Sequence, residues 1–132
     1  MPWASFLNPT LISIAMTDLI AFLSTGKGTW GHVSRLVETG QWDKVYLLTN
    51  AFGQEKFTPD SKTELIVLEN MKPLKELTTD IETALKGKVK GDVAVNVVSG
   101  SGKEHMALFA ALLHLGAKYT LSAVTKEGVE TI

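Results

Sequence analysis

The sequence predicts a three-layer α/β domain built on a mainly parallel sheet of five to six strands. Short apolar runs alternate with stretches of helical periodicity, the pattern of strand–helix–strand units with right-handed crossovers. Two of the strand-to-helix junctions are rich in glycine, which suits sharp turns at the carboxyl edge of such a sheet. The 132 residues are enough for one domain with its own core, and the 45% hydrophobic and 20% charged content is that of an ordinary globular protein.

Residues 1–15 stand apart from this pattern. They contain Trp3, Phe6, Leu7, Leu11, Ile12 and Ile14 but no Lys or Arg, which argues against a secretory signal. Pro2 and Pro9 break any helix long enough to cross a bilayer. The segment reads as a peripheral extension, or as the source of a short edge strand at 10–15, and the folded domain as 16–132.

Residues 18–24 are almost wholly apolar and read as a strand buried on both faces. Residues 29–38 follow as a helix, with Trp30, Val33, Leu36 and Val37 at helical spacing, Thr29 as its N-cap and Gly40 as its stop. Residues 44–49, rich in Val, Tyr and Leu, form a second strand. Residues 50–62 are polar, with Gly53 and Pro59, and read as a loop holding at most one helical turn. Residues 64–68 make the third strand. Leu74, Leu77, Ile81 and Leu85 form one apolar stripe opposite Lys72, Lys75, Glu76, Asp80, Glu82 and Lys86, hence a surface helix. Residues 92–99 are the fourth strand. Residues 104–115 are a helix ended by Gly116, apolar nearly all round, so it faces the sheet on one side and something else on the other. Residues 119–125 alternate as a fifth strand, and 126–128 are placed to turn it back into a C-terminal hairpin at 129–132. The whole is a Rossmann-like domain.

The first glycine-rich turn reads Ser24-Thr25-Gly26-Lys27-Gly28-Thr29-Trp30-Gly31. It fits G-x-G-x-x-G in a strand–turn–helix context, where free helix-start amides can receive a phosphate. Ser24, Thr25 and Lys27 add donors that the turn alone does not need. A dinucleotide also calls for an acid at the end of the second strand, and Thr49-Asn50 stand there, so a nicotinamide cofactor is not favoured. The second turn reads Ser99-Gly100-Ser101-Gly102-Lys103-Glu104-His105. It is not a Walker A loop, because Val97 and Glu104 occupy the positions of its first glycine and its magnesium-binding hydroxyl. If the first and fourth strands are neighbours, both turns open onto one crevice where strand order reverses.

Other residues carry plainer expectations. His105 is either a ligand contact or a surface or capping residue. His32 and Arg35 read as a solvated helix face, Asn96 as a satisfied buried amide, Trp30 as core, and Trp42 has no assigned role. Residues 51–58, with Phe52, Gln54, Lys56 and Phe57, either cover the crevice as a lid or tuck inward. Three histidines without close spacing and no cysteine predict no metal, no disulfide and no thiol nucleophile. The absence of cysteine suits a cytoplasmic location, and a net charge of −1 argues against direct binding to duplex nucleic acid.

The Ser24-Thr25-Gly26 strand end, together with Ser99-Gly100-Ser101-Gly102-Lys103-Glu104-His105-Met106 leading into an apolar helix, resembles the CARF (CRISPR-associated Rossmann fold) domain over most of 16–132. The resemblance implies a homodimer that binds cyclic oligoadenylate across its two-fold axis in antiviral defence, without a cofactor. It carries Ser24 and Thr25 to ribose or phosphate contacts, with Gly26, Lys27, Gly28 and Thr29 completing that loop. It carries Ser99, Gly100, Ser101, Gly102, Glu104 and His105 to the second loop, and Lys103 to a phosphate charge. Helix 104–115 becomes the dimer face. Family members commonly join this domain to a nuclease or winged helix. The sequence departs from that pattern at Ile132, leaving either a sensor for a separate effector protein or a stand-alone ring nuclease. The latter cleaves its ligand without metal, through the ribose 2′-hydroxyl, with Ser24 and Lys103 as catalytic residues.

Overall fold

The computed structural model describes residues 17–24, 27–89 and 91–132, with the backbone alone at residue 27. The extension at 1–15, Thr25, Gly26 and the Lys27 side chain lie outside the described residues.

Among the described residues, eleven short elements build the fold in chain order. Strand β1 (Thr17–Leu23) leads through a 3-10 turn (Lys27–Thr29) into α1 (Trp30–Thr39), β2 (Trp42–Thr49) and a short α2 (Ala51–Lys56). Then come β3 (Thr63–Val67), α3 (Leu74–Leu85), β4 (Asp92–Asn96), α4 (Gly102–His114), β5 (Lys118–Thr125) and β6 (Gly128–Thr131). The strands form one sheet in the order β3-β2-β1-β4-β5-β6. All neighbours are parallel except β5 and β6, which close the edge as an antiparallel hairpin.

Strand β1 sits at the centre because its sequence is apolar on both faces, and Leu19 through Leu23 are fully buried. Alternate residues feed two separate cores, as the two-residue period of a strand requires. Ile20 and Phe22 join Leu48, Val93 and Val95 under α3 and α4, which contribute Leu77, Ile81 and Leu85, and Leu108 and Leu112. Leu19, Ala21 and Leu23 join Val45 and Leu47 under α1, which contributes Val33, Leu36 and Val37. Helix α1 therefore lies on one face of the sheet, and α3 and α4 lie side by side on the other.

Several local features differ from the sequence-based expectations, each for a visible reason. Thr29 makes no side-chain cap to α1, because the 3-10 turn already places its backbone in the helical region (φ −93, ψ −9). Gly40 does not end α1 in a left-handed conformation; its backbone is extended (φ −76, ψ 153). A Cβ there would collide with the Trp42 indole. That ring lies over the helix end, and its Nε1–H donates to the Leu36 carbonyl at 2.8 Å. Trp42 thus adds a second donor to a carbonyl that already accepts the Gly40 amide at 3.0 Å. The polar stretch after β2 holds a six-residue helix, because Asn50 caps it by accepting the Gly53 amide at 2.9 Å. Strand β4 stops at Asn96, whose side-chain Oδ1 takes the Val98 amide (3.1 Å) and turns the chain out of the ladder.

Candidate functional site: the crevice between β1 and β4

The chain reverses its direction of travel across the sheet between β1 and β4, which are direct neighbours in register from Asp18 with Val93 to Ala21 with Asn96. Connections from β1 and β4 leave toward opposite faces, α1 on one and α4 on the other. Their carboxyl ends are therefore the crevice position where open parallel sheets bind ligands. Both glycine-rich turns therefore border one crevice, as the sequence predicts for neighbouring strands.

Hydrogen bonds knit the two turns together beneath it. Ser24 donates its amide to Ser99 Oγ (3.3 Å) and its hydroxyl to Glu104 Oε1 (2.9 Å). The same carboxylate oxygen accepts the Ser101 amide at 2.8 Å, while Ser101 Oγ accepts the Glu104 amide at 3.2 Å. This reciprocal arrangement is a capping box at the start of α4. Ser24, Ser99 and Glu104 are buried, so their polar atoms serve the tie between the loops and do not face the crevice.

Gly100 is demanded twice over. Its φ of +107 is a left-handed value, and a Cβ would come within 2.9 Å of His105 Nε2. His105 packs at a tilt against Phe22, with the ring centroids 5.6 Å apart. Its Nε2 lies 2.9 Å from the Ser99 carbonyl, which can only accept, so that nitrogen carries the proton. Through that bond His105 braces the second turn. The amides of Gly102 and Lys103 begin α4 and have no acceptor within the helix, so this helix mouth offers two donors. The Lys103 amine donates to the Lys72 carbonyl (2.7 Å), between β3 and α3. Lys103 thus sits on the same carboxyl edge, but its charge is held toward the β3 side.

On the β2 side the crevice is closed in. Thr49 donates its hydroxyl to the Leu23 carbonyl, and α2 follows at once, with Gly53 packed so tightly that a Cβ would overlap Thr49 Oγ1. Phe52 from α2 meets Trp30 at 5.9 Å, with the Lys56 amine 5.9 Å above its ring. The stretch expected to be a lid or an inward-tucked loop is thus a short helix whose aromatic residue reaches the first turn. A cavity of about 400 Å³ lies beside it, lined by Asn50, Phe52, Val67, Leu68, Asn70 and Met71. Another, of about 450 Å³, lies by the first residues of β1 and β2, touches neither glycine-rich turn and has an uncharged lining.

Sequence reasoning passed over one cluster at this edge. Asn96, the last residue of β4, is buried and makes three side-chain hydrogen bonds. Its Oδ1 accepts the Val98 amide, and its Nδ2 lies 2.9 Å from the Ser122 carbonyl and 3.1 Å from His32 Nε2. Partial burial, and after it the charge of Arg35, hold the His32 imidazole below its ordinary pKa of 6.5. A polar residue among valines at a strand end was the available signal.

The second face of α4 carries Met106 (61% exposed) and Leu113 (74% exposed) on one stripe. Beside it Phe109 packs on Tyr119 at 5.1 Å, and Tyr119 and Leu121 of β5 are also exposed. The expected second apolar side of this helix is therefore real. Among the described residues no His, Cys, Asp and Glu cluster has metal-binding geometry, and no helix is long and apolar enough to cross a membrane.

No family model and no curated protein matches the chain. Among solved structures, uronate dehydrogenase from Agrobacterium tumefaciens is similar to it in fold, with a TM-score of 0.50 and 11% sequence identity. The match covers 80% of this chain and 41% of that one, so the chain spans well under half of the structure it resembles. The likeness to a Rossmann-fold protein agrees with the strand order and the layers described above: the chain has a Rossmann-like fold.

Proposed function

We propose that the chain binds a phosphate-bearing nucleotide in the crevice between β1 and β4, and that the nucleotide is a cyclic oligoadenylate. The observation that carries the reading is the meeting of two glycine-rich turns at one strand-order reversal. There the first amides of α4 are available and Gly100 lets the backbone come close. With Ser24, Ser99 and Glu104 turned inward, the ligand contacts fall to the backbone of Gly100, Ser101, Gly102 and Lys103, and to the Lys103 amine once it leaves the Lys72 carbonyl.

A dinucleotide has the G-x-G-x-x-G spacing and the strand order in its favour. The residues at the end of β2 do not fit it. Thr49 is committed to the Leu23 carbonyl and Asn50 to capping α2, so no acid is offered to a ribose, and α2 occupies that side. The exposed stripe of Met106, Leu113, Tyr119 and Leu121 supports a homodimer through α4. Two equivalent crevices related by a two-fold axis suit a symmetric ring.

Cleavage of that ring is the further step of the same reading. A ribose 2′-hydroxyl held in line attacks the adjacent phosphorus, forms a 2′,3′-cyclic phosphate and expels the next nucleotide's 5′-oxygen. That oxygen takes up the proton the hydroxyl gives up, so neither water nor metal is consumed. Helix-start amides and the Lys103 charge stabilise the developing negative charge.

Thermal shift against cyclic oligoadenylates, AMP, ATP, NAD and NADP tests the reading. A cyclic oligoadenylate at a hundred times its Kd stabilises the fold by about 2.7 kcal/mol. Lys103→Ala weakens that binding by about 1.5–3 kcal/mol, the scale of a charge-assisted contact. A shift with NAD or NADP alone would replace this reading with the dinucleotide one.

A further inference from the structure

We infer that His32 is a neutral hydrogen-bond donor to the ligand of this crevice, presenting an Nδ1–H to a phosphodiester or base acceptor; the inference rests on the nucleotide reading above. The tautomer follows from Asn96. The Val98 amide can only donate, so it must face the Asn96 oxygen. The Ser122 carbonyl can only accept, so it must face the Asn96 amide nitrogen. The orientation of this buried side chain is fixed by both at once, and what it offers to His32 is an N–H. His32 Nε2 must therefore be the unprotonated, accepting nitrogen, and the ring proton resides on Nδ1.

Position gives that proton a use. His32 lies in the first turn of α1, just after the first glycine-rich turn, while Asn96 is the last residue of β4, just before the second. The imidazole bridges the two elements that border the crevice, on the face opposite α4. His32 is half-buried, and among the described residues Nδ1 meets no acceptor. The group that β4 brings to it, Asn96, is uncharged, as is the Ser122 carbonyl bonded to Asn96 from β5, and the nearby charge is Arg35 on its own helix. Both the clamp and the lowered pKa keep the ring neutral near pH 7. It complements the α4 mouth: amides approach from one face of the sheet and a single directional N–H from the other.

Long-range proton–nitrogen NMR of the ligand-free protein at pH 7 reads the tautomer, with His32→Gln identifying the signal. The Nδ1–H form is expected, and an Nε2–H or doubly protonated ring overturns the inference. Calorimetry with cyclic tetra-adenylate, AMP and NAD then separates the two levels. If wild type binds, His32→Ala should lose about three- to tenfold in affinity, the scale of one neutral hydrogen bond. His32→Gln, which keeps one acceptor and one donor, should lose less, and the wild-type Nδ1 resonance should move on binding. Unchanged affinity in His32→Ala with wild-type binding intact overturns this inference alone. Wild-type protein that binds none of the three nucleotides overturns the nucleotide reading and this inference together.

Discussion

Ser24 and Glu104, 80 positions apart in the chain, are joined by a 2.9 Å hydrogen bond from a buried hydroxyl to a buried carboxylate. Because Glu104 Oε1 also accepts the Ser101 amide, one oxygen holds the first turn, the second turn and the start of α4. Glu104→Ala removes the capping box and leaves Ser24 without its acceptor. It should cost about 2–4 kcal/mol, combining a lost cap with a lost charge-assisted bond. Ser24→Ala should cost less, about 1–2 kcal/mol. Urea unfolding of both single variants and the double variant measures the coupling, and additive costs would mean that the bond contributes nothing.

Gly100→Ala tests whether the second turn depends on a left-handed residue. The substitution meets both a positive φ and the close approach of His105 Nε2. A loss of about 1–3 kcal/mol is expected, with weakened nucleotide binding. Ala at Gly102, where a Cβ meets nothing within 4 Å, serves as the control and should leave stability nearly unchanged.

Gly40 and Trp42 make a reciprocal pair. Gly40→Ala drives a methyl into the indole and should cost about 1–3 kcal/mol. Trp42→Ala removes both the ring and its bond to the Leu36 carbonyl. Once the ring is gone the methyl has room, so the double variant should be clearly less destabilised than the sum. Melting temperatures of the three variants check this, and strict additivity would exclude the contact.

His32 gives stability a definite pH dependence. Its folded-state pKa lies below 6.5, through burial first and Arg35 second. Between that lowered value and about 6.5 the unfolded chain binds more protons than the native one. Its contribution is therefore fully present above pH 6.5 and is lost as pH falls toward the folded-state pKa. Melting temperature measured from pH 5 to 8 should drop on the acid side more steeply for wild type than for His32→Gln. Parallel curves would remove His32 from the account.

The layers and the parallel sheet were legible in hydrophobic periodicity, because fully buried strands and one-sided helices leave different repeats. That β1 and β4 are neighbours was left as a condition, because periodicity does not order strands within a sheet. The C-terminal hairpin was legible in Lys126-Glu127-Gly128. Helix ends were less so. A 3-10 turn before α1 displaces Thr29 from the cap, and nothing local in Gln41-Trp42 announces an indole folding back over the preceding helix. In the site, the turns were found from glycine and helix-start logic, but not which way their side chains face. Ser24 and Glu104 read as ligand contacts because a hydroxyl and a carboxylate beside a helix mouth resemble a binding set. Their burial comes from partners many residues away. Asn96 and His32 were read singly, and only the sheet brings them together.

Strand β1 pairs with β2 on one side and with β4 on the other. A chain emerging from the ribosome thus completes one edge of its central strand early, while the other waits until β4 has been made. During that interval an apolar edge stands open. Folding rates should accordingly be governed by that late, distant closure, as expected where loop-closure entropy precedes reward. Nascent-chain lengths ending before β4 should be the ones that aggregate.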